Sequence, residues 1–337
     1  LKKPITIKDL AKSLNISVAT VSRALRNSSE INEETKQAVL KLAKEMDYHP
    51  NLLARGLSSK KSKILGVVVP TINRQFWSNS ISGIENIAYQ DGYKVMIFQS
   101  TESFIKEVEI VETLANSRVD GILIAFSKET KDYAHVQQVM DRGIPVVLFE
   151  RVCEELETSK VVTDDFFGAK KITQHLISRG KNNIAYLGGP MSLGVCKDRF
   201  LGFQSAMTDA GLNIPAEHII ETEEFTFENA KNGIYQLWNT KNKPDAIFCF
   251  ADILAIGALD ACKELGIKVP EQLSIAGFGN DDTSRFVSPS ITTMAQPSFE
   301  IGQLAAKLIL EEITAGNEVT ILKKEVIQPT LVIRESS

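Results

Sequence analysis

The sequence predicts a small all-α head joined to an α/β core of two doubly wound parallel-sheet lobes, and three observations predict it. Residues 5–48 place apolar side chains at helical spacing in three successive segments. From residue 63 onward, short aliphatic or β-branched runs alternate with amphipathic segments, the pattern of parallel sheets covered by helices on both faces. That alternation restarts near residue 183, so two lobes are expected. With 337 residues, 43% of them hydrophobic, the chain has the length for two or three domains and the apolar material for their cores.

In the head, Leu10, Ala11 and Leu14 form one apolar stripe and Val21, Ala24 and Leu25 a second. Between them, Asn15 tolerates the left-handed backbone that ends a helix, and Ser17 can cap the next one. The second helix then shows solvent a row of small or hydrogen-bonding side chains: Val18, Ala19, Thr20, Ser22 and Arg23. That face is wrong for a core, but it can lie flat in a DNA major groove. An ordinary helical hairpin is the plainer alternative. A third helix is capped by Asn32, has Glu33 and Glu34 at its positive end, and buries Val39, Leu42, Ala43 and Met46. His49-Pro50 ends it.

Residues 51–63, NLLARGLSSKKSK, form a linker in which Asn51 can cap a short helix reaching Leu57. Gly56 weakens that helix by about 1 kcal/mol relative to alanine, and two turns are not stable alone in water. It is therefore expected to order only on a partner. A plain tether explains the lysines but not Leu52, Leu53 and Leu57.

The core runs KILGVVVP, YKVMIFQS, DGILIAF, PVVLFE and KVVTDD alternate with amphipathic segments at about 78–91, 104–116, 132–142 and 166–179. NIAYLGGP, HIIETEEF, DAIFCF, LSIAGFG and ITTMAQP make the second series. Charge divides along the same line. Residues 1–63 carry 13 Lys or Arg against 6 Asp or Glu, and the rest carries 25 against 36. A basic head on an acidic body suits a polyanion-binding module attached to a domain that avoids polyanions.

Several classes are excluded. Cys153, Cys196, Cys249 and Cys262 form no CxxC pair and read as reduced buried thiols, and the four histidines are scattered, so neither metal nor cofactor is expected. No run approaches a membrane span and no secretory h-region is visible, which leads us to expect a cytoplasmic protein. No GxSxG, HExxH or P-loop occurs, and Gly277-Phe278-Gly279 lacks the rest of a dinucleotide fingerprint, so an enzyme is not expected.

The segments TIKDLAKSLNISVATVSRALRN, YHPNLLARGL, KILGVVVP, RVDGILI, IAYLGGP, RFLGFQSAM, PDAIFCFADILAIGAL, VPEQLSIAGFGN and PSITTMAQP occur in order along the chain. In these the chain resembles the LacI/GalR family of bacterial transcription regulators, most closely the purine-repressor and catabolite-control type. The resemblance implies a helix-turn-helix DNA-binding domain at 1–50, a hinge helix at 51–63, and an effector-binding and dimerisation core at 64–337. The core would be of periplasmic-binding-protein type, with lobe one at about 64–163 and 296–323 and lobe two at about 164–295 and 324–337. No C-terminal heptad tail follows PTLVIRE, so the expected state is a homodimer on a palindromic operator.

Carried onto this chain, the family pattern makes Val18, Ala19 and Arg23 base readers and gives the hydroxyls of Thr6, Ser17, Thr20 and Ser22 to phosphates. Each hydroxyl could instead be a simple cap. Leu57 matches the family's minor-groove wedge, with Asn51 and Arg55 facing the backbone and groove; packing of Leu57 on the core is the alternative. In the cleft the pattern points to Phe76, Trp77, Glu150, Arg151, Asp164, Arg199, Phe225, Asp252 and, in the loop after GFGN, Asn280. Arg199 either grips the ligand or pairs across the cleft with an acid such as Asp164. One departure is Gly279, where many relatives carry a ligand-gripping aspartate; Asn280, Asp281 or Asp282 are the substitutes at hand.

The implied function is repression of carbohydrate-use genes, with operator affinity set by a sugar or sugar derivative, phosphorylated sugars included. An aromatic beside a guanidinium suits a ring with an anionic or hydroxyl-rich edge, and without the aspartate a neutral free sugar is expected to bind weakly. The alternatives are control by a protein partner or a purine-type corepressor, and, further off, a solute-binding protein. The basic head makes operator affinity strongly salt-dependent. Raising salt from about 50 to 200 mM is expected to weaken binding by orders of magnitude in a filter or anisotropy titration, and a flat response would contradict this.

Overall fold

The computed structural model describes residues 5–25, 27–48, 61–316 and 321–337. Asn51, Arg55, Leu57 and the hinge helix expected around them lie outside the described residues. The chain separates into two compact units, Leu1–Ser62 and Lys63–Ser337.

Among its described residues the first unit holds three helices: α1 (Ile7–Leu14), α2 (Val18–Leu25) and α3 (Glu33–Glu45). Asp9 takes the Thr6 N–H at 2.8 Å, which fixes the start of α1. Asn15 ends that helix in the left-handed region at φ 53, as its side chain permits, and Ile16 N–H reaches back to the Ala11 carbonyl at 3.1 Å. Ser17 Oγ accepts the Thr20 N–H at 3.0 Å and so starts α2. Asn32 Oδ1 accepts the Thr35 N–H at 2.8 Å at the head of α3. Leu10, Ala11, Val21, Ala24, Val39 and Ala43 close the core of this unit.

The second unit contains two six-stranded sheets. The first has strand order β11-β5-β4-β3-β1-β2, all parallel, from β1 (Ile64–Val69), β2 (Lys94–Gln99), β3 (Gly121–Ile124), β4 (Val146–Phe149), β5 (Lys160–Thr163) and β11 (Lys324–Ile327). The second has order β12-β10-β9-β8-β6-β7, from β6 (Ile184–Gly188), β7 (Ile219–Glu221), β8 (Ala246–Cys249), β9 (Ser274–Gly279), β10 (Thr292–Ala295) and β12 (Thr330–Val332). Among the described strands only β12 runs antiparallel to its neighbour. Helices α4 (Gln75–Gln90), α5 (Phe104–Asn116), α6 (Ala134–Asp141) and α12 (Ser298–Ala315) pack on the first sheet. Helices α7 (Asp165–Ser178), α8 (Gly194–Asp209), α9 (Phe227–Trp238) and α10 (Asp252–Leu265) pack on the second. A short α11 spans Thr283–Phe286.

The chain passes between lobes after β5, after β10 and between β11 and β12. This corrects the expected lobe boundary. Lys324–Ile327 pairs with β5, Val326 opposite Val162, and so belongs to lobe one rather than lobe two. The third crossover therefore falls at residues 328–329.

The helices that cover lobe one approach closely because glycine allows it. A Cβ on Gly83 of α4 would lie 2.1 Å from the Phe299 carbonyl oxygen, and one on Gly302 of α12 would lie 2.0 Å from that of Ser80. The same device recurs between α7 and α8 at Gly202 and between α9 and α10 at Gly257. All four cysteines are buried and free, and burial pushes the Cys196 and Cys262 thiols up to about 12. No helix among the described residues is long and apolar enough to cross a membrane. Gly83→Ala is expected to force α4 and α12 apart and cost about 1–3 kcal/mol in a denaturant titration, whereas an unchanged midpoint would contradict that packing.

Candidate functional site

Two regions gather the candidate residues. In the head, Ser17 just before α2 and Val18, Ala19 and Arg23 on it are exposed, and Thr20 and Ser22 are half-buried. Val18, at 41% exposure, is an apolar side chain left in solvent on this face, as Leu40 is on α3. Arg23 Nε lies 3.3 Å from Glu30 Oε2, and both side chains are more than half exposed. Such a pair is worth about 0–1 kcal/mol, so the guanidinium is readily transferred to another acceptor. Ser17 and Thr20 share a hydroxyl hydrogen bond of 2.8 Å, and the Thr6 hydroxyl donates to Asp9 at 2.7 Å. In the free protein these hydroxyls therefore serve helix ends.

In the core, a cavity of about 450 Å³ opens between the lobes, at the carboxyl ends of the strands of both sheets. Its residues follow β1, β2, β3 and β4 in lobe one and β6, β7, β8 and β9 in lobe two, so the sheets place it. Phe76, Trp77, Glu150, Arg151, Arg199 and Phe225, all named from sequence, line it. Phe76 and Trp77 meet edge to face at 4.9 Å, and the Arg151 guanidinium lies over Trp77 at 5.6 Å. Phe225 stacks on Phe250 at 4.5 Å and 15°. These are flat apolar walls with polar groups at their edges, the make-up of small-molecule sites.

Three sequence candidates do not line it. Asp164 accepts the Phe167 N–H at 3.0 Å as the cap of α7. Asp252 is fully buried behind the wall, where it accepts the Thr293 hydroxyl at 2.6 Å and the Asp281 N–H at 2.8 Å. Burial pushes its carboxyl up to about 6 against those hydrogen bonds. Asn280 turns to Arg334, which donates to its Oδ1 at 2.5 Å and also to Ser284 Oγ and the Ile291 carbonyl. The loop they secure presents Gly279 and Asp281 to the cavity instead. Gly279 has φ 133, a backbone that an aspartate adopts only under strain, and a Cβ there would face the carboxylates of Asp281 and Asp252.

Arg199 is only 3% exposed. Its Nε donates to Asp165 Oδ1 at 2.7 Å, its Nη1 to the Phe250 carbonyl at 2.7 Å, and its Nη2 lies 3.7 Å from Glu150 Oε1. The guanidinium is held between the Phe250 and Phe278 rings, at 4.3 and 3.7 Å. The short ion pair is made with Asp165 of the same lobe and not with Asp164, and the acid that meets Arg199 from the opposite lobe is Glu150. Burial raises the Asp165 carboxyl above the usual range despite that guanidinium. Glu150 also accepts the Thr163 hydroxyl at 2.9 Å and the Gln296 amide at 2.7 Å. It thus joins Arg199 to two of the three crossovers.

Sequence reasoning missed Arg74, Glu102, Lys128 and Glu129, which also line the cavity. Their one available signal is position, each lying three to five residues past the end of a lobe-one strand. Among the described residues no cluster of three or more His, Cys, Asp or Glu could hold a metal.

A helical head with an exposed hydrogen-bonding face, on a two-lobed core with a cavity at its strand ends, defines a ligand-controlled DNA-binding regulator. Residues 6–51 match the bacterial regulatory proteins of the lacI family, and residues 173–337 a periplasmic binding protein-like domain. The HTH-type transcriptional repressor CytR of Escherichia coli (strain K12) is 34% identical over 308 residues, covering 91% of this chain and 89% of that one. The transcriptional regulator CelR, solved with cellobiose, matches with TM-score 0.75 and 25% identity over 99% of this chain and 100% of its own. The lac repressor dimer bound to operator and the anti-inducer ONPF matches in fold, with TM-score 0.87 at 23% identity over 99% of both chains. The chain belongs to the lacI family. It is a DNA-binding transcriptional repressor with an effector-binding core.

Removing Arg199 leaves Asp165 and Glu150 buried without their cation. Arg199→Ala is therefore expected to lower the stability of the core by about 3–5 kcal/mol, measured by chemical denaturation; a loss below about 1 kcal/mol would contradict a buried tie.

Proposed function

We infer that the chain acts as a homodimer on an imperfect palindrome and releases or grips it according to a sugar bound between the core lobes. The observation that carries this reading is the cavity itself, whose aromatic faces, Trp77 and the Phe225–Phe250 pair, are edged by carboxylates and guanidinia. Flat apolar walls take the C–H face of a pyranose or furanose, and the polar edges take its hydroxyls. The similar CelR, solved with cellobiose, supports the same class. Phe76, Trp77, Arg151 and Phe225 would touch the ligand, while Glu150 and Arg199 would shape the floor beneath it.

On DNA, α2 would lie in the major groove, with Arg23 forked onto a guanine and Val18 and Ala19 against neighbouring base edges. The hydroxyls of Thr6, Ser17 and Thr20 would exchange their helix-end hydrogen bonds for phosphate oxygens, and the Ser22 hydroxyl would join them there. Asn51, Arg55 and Leu57 join this reading on the sequence alone.

An anisotropy titration on a selected palindrome, run with and without a panel of free sugars, tests the whole. One sugar is expected to change operator affinity, and a half-site bound as tightly as the full palindrome would contradict the dimer. Arg23→Ala is expected to cost about 1–3 kcal/mol and relax selection at one base position per half-site. Thr20→Ala is expected to weaken all sequences alike, and an unchanged selected site in Arg23→Ala would make Arg23 a phosphate contact.

A further inference from the structure

The cavity is ringed by four cations, Arg74, Lys128, Arg151 and Arg199, and by six carboxylates. Each cation is already engaged by the protein. Arg151 Nη1 lies 2.7 Å from Glu102 Oε2, and Arg199 is shared between the two buried carboxylates of Asp165 and Glu150. Lys128 reaches across the mouth to Glu224 at 3.6 Å and to the Glu223 carbonyl at 3.4 Å. Arg74 donates to the Phe225 carbonyl and offsets the charge of Asp281. The remaining carboxylates, Asp281 and Glu129 among them, give the walls an excess of acceptors.

We propose that this cavity selects an electrically neutral, hydroxyl-rich ligand and rejects its phosphorylated or carboxylated counterparts. The inference rests on the sugar reading above and narrows it. A polyol donates its hydroxyl protons to acceptor-rich walls without disturbing an ion pair. A phosphate would need a cation now held by Glu102, Glu224 or the Asp165–Glu150 pair, whose loss leaves a carboxylate uncompensated, or Arg74, which would have to leave the Phe225 carbonyl and cease to offset Asp281. The walls already hold negative charge poorly, since burial and the neighbouring Asp282 push the Asp281 carboxyl above the usual carboxylate range in spite of Arg74. Gly279 fits the same picture, because an aspartate there would add a third carboxylate beside Asp252 and Asp281. This takes the hydroxyl-rich one of the two edges expected from sequence and reverses the expectation that a neutral free sugar binds weakly.

The test uses the full chain and matched pairs: ribose and ribose 5-phosphate, glucose and glucose 6-phosphate, cellobiose and cellobionate, adenosine and adenosine monophosphate. Binding is read as a thermal shift and as Trp77 emission in a Trp238→Phe background, so that an anion on the basic head is not counted. At least one neutral member is expected to bind, and its anionic twin to bind about tenfold or more weakly. Glu102→Gln, which frees Arg151, is expected to narrow that gap, and an unmoved gap would overturn its assignment to these ion pairs. An anionic sugar binding as well as or better than its neutral twin overturns the proposal and leaves the sugar reading intact. Adenosine binding in place of every sugar supports neutrality but overturns the sugar reading. A panel silent throughout overturns that reading and the proposal with it.

Discussion

A guanidinium at 3% exposure has to be surrounded by acceptors, and much of the core follows from how Arg199 is accommodated. Its helix, α8, must start where Asp165 at the head of α7 can meet it, and β8 must end where the Phe250 carbonyl can accept a proton. Phe250 and Phe278 close over both faces of the group. Glu150, reached from the other lobe, adopts a left-handed backbone at φ 58 and binds Thr163 and Gln296 as well. Such backbone in a non-glycine residue persists only where its surroundings hold it. The floor of the cavity and two interlobe crossovers are thus fixed around one cation.

Replacing buried ion pairs by well-packed apolar residues is often neutral or stabilising, so this arrangement is not explained by stability alone. What it provides is a defined geometry between lobes, with the ligand walls standing on it. Phe225 shows the consequence. Its ring stacks on Phe250, its carbonyl is held by Arg74 of the opposite lobe, and a Cβ on Gly189 would strike the ring at 2.3 Å. The aromatic wall is therefore positioned before any ligand arrives, which lowers the entropic cost of binding.

The repeated strand and helix pattern was legible in sequence because parallel strands buried on both faces read as unbroken apolar runs, and ILGVVV is buried at every position. The head was legible because its corner depends on local chemistry, Asn15 and Ser17, rather than on tertiary context. β11 was not, since KEVI is a short edge strand whose Lys324 and Val326 are exposed while Glu325 and Ile327 are half-buried, so neither periodicity nor apolarity marks it. Among the cleft residues, the aromatic and arginine positions could be read, but the partner of Arg199 could not. Asp164 and Asp165 are adjacent at the start of α7 and differ by about 100° around its axis, so one caps the helix and the other faces inward. Lys128 and Glu129 sit in SKETKD, which reads as a solvated loop until the sheet order puts the end of β3 beside the cavity.

If the core is organised around the Arg199 cation, its energetic link to Asp165 must be measurable directly. The decisive experiment is a double-mutant cycle of Arg199→Met and Asp165→Asn, followed by chemical denaturation of the full chain. The account requires the double variant to be more stable than Arg199→Met alone, with a coupling of about 1–3 kcal/mol. Additive losses, with coupling below about 0.5 kcal/mol, would mean that Arg199 is held by its aromatic neighbours and not by charge.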